Sequence, residues 1–363
     1  MAGLINGEFK SKVSPYLLDL IEKVKKENGE SSKEYQALYN QYIYSPKEQE
    51  DQVEVNLKHY EAVVNNDEKL GLPKGIERLY KRQLVIDITM VCAAHCRYCL
   101  RANYETMQLT KTEIDEIVYY CSKDDNLKEI LVTGGDPFMV QNLLKYLITE
   151  LVNKADNIKI IRIGTRVPIQ DPDKMDTDIY NFFNNYSKVV MFEVALQVNH
   201  SIELQEKSIN IIKNLQKSGV KIYCQNVLLK NVNDDIDTLV ELYDNLRYLG
   251  IEAHYLFHSI PMKGTSHLRT TVQKGLDLIQ ELTTIGKISG RVKPTYALMT
   301  YIGKVILYDG VIQKKDDNGY FHLKTFYTVD ERRKWNPTYE LPNDQAYEDE
   351  DNYIIAKYLD GEC

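Results

Sequence analysis

The sequence has little cysteine and almost no tryptophan: six Cys and one Trp in 363 residues. So few cysteines, three of them crowded between positions 92 and 99, exclude a disulfide scaffold and point to reduced thiols that hold metal. No uninterrupted apolar run reaches the roughly 20 residues that span a bilayer. The opening segment, Met1-Ala-Gly-Leu-Ile-Asn-Gly7, lacks the basic start and apolar core of a signal peptide, so a cytoplasmic protein with no membrane partner is expected. An excess of positive charge is also missing. Lys plus Arg is 45 against 53 Asp plus Glu, a net charge of −8, which argues against broad nucleic-acid binding. No repeat of fixed period is present. Hydrophobic residues make up 43% of the chain, enough for a sizeable core and against wholesale disorder.

What is present divides into three stretches, 1–80, 81–290 and 291–363. The first is charged and helical in pattern. Ser14 to Lys26 puts Leu17, Leu18, Ile21 and Val24 on one helical face, and residues 45–60 are acidic, then amphipathic. From residue 84, short apolar runs alternate with amphipathic helices. Strands are expected at Leu84–Thr89, Glu129–Thr133, Ile158–Thr165, Val189–Gln197, Lys221–Leu229 and Ala253–Phe257. Six such units predict a parallel β/α barrel, complete or partial, with its chemistry at the C-terminal ends of the strands. After residue 330 the chain turns polar, and Asp344 to Asp351 reads as a solvated tail or surface cap.

The chemistry centres on Cys92-Ala-Ala-His-Cys96-Arg-Tyr-Cys99, directly after the first barrel strand. Thiolates spaced C-x3-C-x2-C can wrap one face of a [4Fe–4S] cubane and leave the fourth iron open for the amino and carboxylate groups of S-adenosylmethionine (SAM). A zinc site completed by His95 is the competing reading, though a fourth cysteine at matching spacing is missing. Gly134-Gly135-Asp136-Pro137 ends the second strand, where glycines allow close backbone approach to a ligand. Gln197 and Gln225 end later strands and are candidate SAM contacts. Cys121 and Cys224 fall on core elements and read as small buried residues. His200 and His258 lie at strand ends.

With these motifs in order, the chain resembles the lysine 2,3-aminomutase-like radical SAM proteins from about residue 75 to 310. The resemblance rests on Cys92–Cys99 with Arg101, Leu131-Val-Thr-Gly-Gly-Asp-Pro137, Ile160-Ile-Arg-Ile-Gly-Thr-Arg-Val-Pro168, Gln197-Val-Asn-His200, Gln225 to Asp234 and Gly303-Lys304. It implies a partial (β/α)6 TIM-type barrel with an N-terminal helical subdomain and a C-terminal extension. It also implies a [4Fe–4S] cluster, SAM as radical source and pyridoxal 5′-phosphate (PLP), which together move an amine from Cα to Cβ of an amino acid. A small-molecule amino acid, a reductant protein such as flavodoxin or ferredoxin and a homo-oligomer are the partners that fit. By the same resemblance Lys304 is the PLP lysine, Arg101 pairs with the substrate carboxylate, and Arg78 and Arg82 hold the cofactor phosphate.

Two departures matter. Ile260 and Met299 stand where lysine-specific members place aspartates, and neither balances a distal ammonium, so the substrate is expected not to be free lysine. An apolar or short amino acid fits them; Lys263 or His258 could meet an acidic one. The glycine-rich stretch before Lys304 is reduced to Gly303, which leaves open a PLP-independent radical reaction on the same scaffold. A non-catalytic iron–sulfur or zinc protein is the third reading. In the region of the family's C-terminal zinc cysteines only Cys363 is present, so no such site is expected.

Overall fold

Alternation along the strands sets the architecture. In Glu129–Gly134, Ile130 and Val132 are fully buried, while Glu129, Leu131 and Thr133 between them are only partly so. One side of each strand packs on helices and the other faces an internal cavity. The computed structural model describes residues 4–5, 8–9, 11–51, 72–103, 107–283, 286–308, 310–325, 327–342 and 344–361; most of the expected amphipathic stretch after Asp51, and Cys363, lie outside the described residues.

Nine strands form one sheet in chain order: β1 (Ile76–Glu77), β2 (Gln83–Thr89), β3 (Glu129–Gly134), β4 (Ile160–Thr165), β5 (Met191–Leu196), β6 (Lys221–Leu228), β7 (Glu252–His258), β8 (Thr295–Thr300) and β9 (Gly303–Ile306). Strands β2 to β8 are parallel, and β1 and β9 are antiparallel edges. Helices at Lys111–Lys123, Gln141–Lys154, Asp178–Tyr186, Glu206–Lys217, Ile236–Tyr248 and Val272–Leu282 alternate with the parallel strands. Their buried faces join the outward strand residues in one core, where Cys121 and Cys224 are fully buried. The result is a curled, open parallel sheet, the expected partial barrel. The six expected strands are present, and β8 is a seventh that the sequence pattern did not reveal. The sheet also runs from Ile76 to Ile306, so it reaches beyond 81–290 at both ends. Tyr80 links the two edges: its hydroxyl accepts from the Lys304 amide on β9 at 3.1 Å.

Before the barrel, α1 (Pro15–Asn28) starts at Ser14, whose hydroxyl accepts from Leu17 N at 3.1 Å, and α2 (Lys33–Tyr42) is capped in the same way by Ser32. The buried face of α1 is Leu17, Leu20, Ile21 and Val24; Leu18, expected inside, is 45% exposed because it sits one residue off the i, i+3, i+4, i+7 stripe. Both helices share a core with Ala94, Cys96 and Tyr98 of the cysteine loop.

The C-terminal stretch is folded, not a solvated tail. Strands β10 (Ile312–Lys315), β11 (Tyr320–Lys324), β12 (Ala346–Glu348) and β13 (Ile354–Leu359) form an antiparallel sheet in the order β10-β11-β13-β12. Its core, with Leu323, Ile354 and Tyr358, merges with Leu298, Ile302 and Val305 of the β8–β9 hairpin. It is tied to the mouth of the barrel by Tyr358, whose hydroxyl donates to Ser259 O at 2.9 Å, and by Arg269, which donates to Leu359 O at 2.7 Å.

Candidate active site

The loop after β2 carries the three cysteines at the C-terminal ends of the parallel strands. Cys92, Cys96 and Cys99 all line one cavity of about 360 Å³, with Gly134, Gly135 and Lys304 also in its wall. The loop is clamped from the N-terminal side. Lys12 Nζ donates to Cys92 O at 2.6 Å, His95 N donates to Lys12 O at 2.8 Å, and Arg97 N donates to Gln41 O at 2.9 Å. The Arg97 guanidinium, wholly buried, pairs with Glu48, with Nε donating to Oε1 at 2.9 Å.

Burial pushes the Cys92 thiol well up, and nearby Cys99, Asp136 and Cys96 push it further, so the thiols are mutual neighbours. Such a set is relieved by a metal group that takes thiolates. Among the described residues no three His, Cys, Asp or Glu side chains converge as ligands of a single ion. The three thiols that line the cavity are the set that would hold a cubane, each on its own iron.

The Gly-Gly-Asp corner lines the cavity, as expected of a ligand contact, and it also has a structural task. A Cβ on Gly134 would stand 2.3 Å from Thr89 O, and one on Gly135 would stand 2.5 Å from Val91 O. The glycines let the end of β3 press against the start of the cysteine loop, and Asp136 N donates to Val91 O at 2.9 Å. The Asp136 carboxylate is occupied by protein donors: Thr165 Oγ1 at 2.8 Å, Arg166 N at 2.7 Å, Val167 N at 3.0 Å and Phe138 N at 3.0 Å. Burial raises its pKa to about 6 against those bonds. Asp136 thus locks β3 to β4 beneath the cysteines rather than offering its carboxylate to a ligand.

Lys304 lies opposite the cysteines on β9, paired in register with Met299 of β8. Its ammonium stands 4.9 Å above the Tyr255 ring. Burial, then Arg162, push its pKa down to about 8, with Glu129 opposing. A partly buried amine whose pKa is brought down to about 8 loses its proton far more readily than a solvated lysine, and one that lines a cavity fits Schiff-base chemistry with an aldehyde cofactor. Gln197, Gln225, Ile260 and Met299 line the same cavity. So does Arg101, whose Nη1 donates to Glu77 Oε1 at 2.8 Å and to Asp87 Oδ1 at 2.6 Å. Burial pushes the Asp87 carboxyl well up, Arg101 opposes this, and Glu77 beside it adds to the rise.

Three expected residues are not brought to the site. Arg78 is buried outside the cavity lining, donating to Lys81 O at 2.9 Å and Asp124 Oδ2 at 2.7 Å. Arg82 is exposed; Leu79 and Gln83, one residue further on, line the cavity instead. Lys263 is exposed as well. His258 reaches the cavity but is fully buried, with Nδ1 2.6 Å from Tyr296 Oη and a pKa pushed down by burial, then Arg269, to about 3. Conversely, Arg162, Arg166 and Gln170 line the cavity and were not singled out, although Arg162 and Arg166 lie within the Ile160–Pro168 motif.

Comparison with known proteins identifies this arrangement. Residues 86–243 match the family model of the radical SAM superfamily. A putative L-lysine 2,3-aminomutase of Aquifex aeolicus is 32% identical over 254 residues, covering 68% of this chain and 67% of that protein. An L-lysine 2,3-aminomutase of Methanococcus maripaludis is 29% identical over 228 residues (62% of this chain, 51% of that one). A glutamate 2,3-aminomutase of Clostridioides difficile is 29% identical over 229 residues (62% and 53%). The chain belongs to the lysine 2,3-aminomutase-like radical SAM family. It matches about half the length of the latter two relatives. The radical SAM superfamily implies a [4Fe–4S] cluster and SAM, and the cysteine wall of the cavity fits them.

Proposed function

We propose that this protein is a PLP-dependent radical SAM 2,3-aminomutase that converts an amino acid with an apolar or short side chain to its β-isomer. The observation that carries the reading is the shared cavity: Lys304, with its lowered pKa, and the three cysteines line one and the same space. When bound, the cluster with SAM supplies a hydrogen-abstracting radical, and PLP carries the migrating amine. The chain's own residues bind, orient and enclose. Cys92, Cys96 and Cys99 would hold the cluster, and Lys304 would hold the aldehyde cofactor. Arg101, fixed by Glu77 and Asp87, sets a guanidinium where a substrate carboxylate can reach it. An electron carrier such as flavodoxin or ferredoxin would supply the reducing electron.

The substrate side chain is read from the wall around Met299. Leu79, Met90, Leu100, Ile260 and Met299 form an apolar group in the lining. A distal ammonium placed there would be desolvated without a counter-charge, at a cost of several kcal/mol. Of the two residues expected to meet a distal carboxylate, Lys263 is exposed and His258 is neutral at ordinary pH.

One observation favours a second reading, PLP-independent radical chemistry: the two arginines expected to hold the phosphate do not line the cavity. Anaerobic reconstitution with iron, sulfide and PLP, borohydride reduction and peptide mapping separate the two. A pyridoxyl adduct on Lys304, absent in Lys304→Ala, is expected. A protein that assembles its cluster but carries no adduct on any lysine overturns the PLP assignment.

A further inference from the structure

The sulfur of Cys96 is held by two buried side chains that contribute nothing to the cavity's binding roles described above. Arg166 Nη1 lies 3.0 Å from Cys96 Sγ, and Gln170 Nε2 lies 3.2 Å from it. Both residues are nearly inaccessible, at 6% and 2% exposure. Neither donor is placed by chance. The Arg166 backbone N is fixed by Asp136 at 2.7 Å. Its Nη2 donates to Gln41 Oε1 at 3.2 Å and to Glu203 Oε1. The Tyr42 and Tyr98 rings lie 5.2 Å and 5.8 Å from its guanidinium carbon. Glu203 is itself fixed by Tyr42 Oη at 2.8 Å and Asn199 N at 2.7 Å. Nη1 itself also donates to Tyr98 Oη, so the guanidinium is a rigidly held cationic donor that directs part of one nitrogen's hydrogen-bonding capacity at the sulfur.

We propose that Arg166 and Gln170 are positioning residues that raise the reduction potential of the cluster through Cys96; this rests on the assignment of Cys96 as a cluster ligand. An N–H directed at a thiolate sulfur draws electron density from it. The reduced, more negative cluster gains more from such a bond than the oxidised one, so each donor makes reduction easier. The cationic donor acts more strongly than the neutral amide. Because Gln41 sits on α2, the network also makes the N-terminal helices part of the redox site.

The test is an EPR-monitored redox titration of the full-length protein, reconstituted anaerobically, with iron and sulfide assayed on the same samples. Gln170→Leu removes one donor at nearly constant volume, and Arg166→Lys keeps the charge facing Glu203 while withdrawing the donor from the sulfur. The expected result is a full cluster in each variant with a midpoint shifted to more negative potential than wild type, further for Arg166→Lys. A fully loaded Gln170→Leu protein with an unchanged midpoint overturns the proposal, even if Arg166→Lys fails to fold. A wild-type protein that assembles no [4Fe–4S] cluster instead overturns the assignment of the cysteines, and this proposal with it.

Discussion

Lys304 shows how placement changes the chemistry of one residue. Its amine is pushed down to about 8 by burial, then by Arg162. Formation of the reduced pyridoxyl adduct should be half-maximal near pH 8 rather than above pH 10, as read by adduct yield against pH. The linkage has a definite sign. Between about 8 and the unfolded value of 10.5 the unfolded chain holds a proton that the folded one does not, so stability rises with pH across that window. Chemical denaturation of wild type and Lys304→Met at several pH values checks this, since the variant should lose that slope. A second residue-scale case is Glu48, the partner of wholly buried Arg97. Glu48→Ala should cost about 3–5 kcal/mol in denaturant unfolding, because it removes the carboxylate from a buried ion pair. The cysteines and Lys304 were legible as motifs, since spacing and order do not depend on the fold. Arg78 and Arg82 lie in the connection ahead of β2, outside any strand, and Leu79 and Gln83 beside them line the cavity; no periodic pattern in such a connection tells which side chain points inward.

Strands and helices of the barrel were legible because buried apolar runs and 3.6-residue stripes carry their own signature. Strand β8 was not, since Thr295–Thr300 reads as the approach to a lysine loop, and only pairing with β7 and β9 makes it a strand. The acidic run near residue 350 left a solvated tail and a surface cap both open, and the structure has the folded one. Asp349 accepts from Asp351 N at 3.0 Å and Tyr353 N at 2.9 Å, so its carboxylate builds the turn between β12 and β13. Two element-scale predictions follow from close contacts. Gly135→Ala sets a Cβ against the backbone of Met90 and Val91. The chain must shift there, and the variant should lose about 1–3 kcal/mol of stability and bind less iron on reconstitution. Tyr80→Phe removes the hydrogen bond to Lys304 N that joins the sheet edges. It should cost about 1 kcal/mol and speed amide exchange at Lys304, as measured by hydrogen-exchange mass spectrometry.

Across the whole molecule, the site is an assembly of distant segments. The sequence presents residues 1–80 as a separate helical region, yet α2 reaches the cysteine loop through Gln41, whose partner Arg166 is 125 positions away. No local pattern announces such a contact. The C-terminal sheet is likewise docked on the barrel mouth beside Ile260 and Met299. The proposed substrate wall therefore depends on the barrel, the β8–β9 hairpin and the cap together, and its apolar character is what the proposed substrate class rests on. The measurement that tests this most directly is turnover by the anaerobically reconstituted protein. SAM, PLP and a reductant would be supplied with a panel of L-amino acids including alanine, leucine, glutamate and lysine, and β-isomers detected by mass spectrometry. The account predicts a β-amino acid from an apolar or short member of the panel and none from lysine. β-Lysine as the main product, or SAM cleavage with no β-isomer from any amino acid, would contradict it.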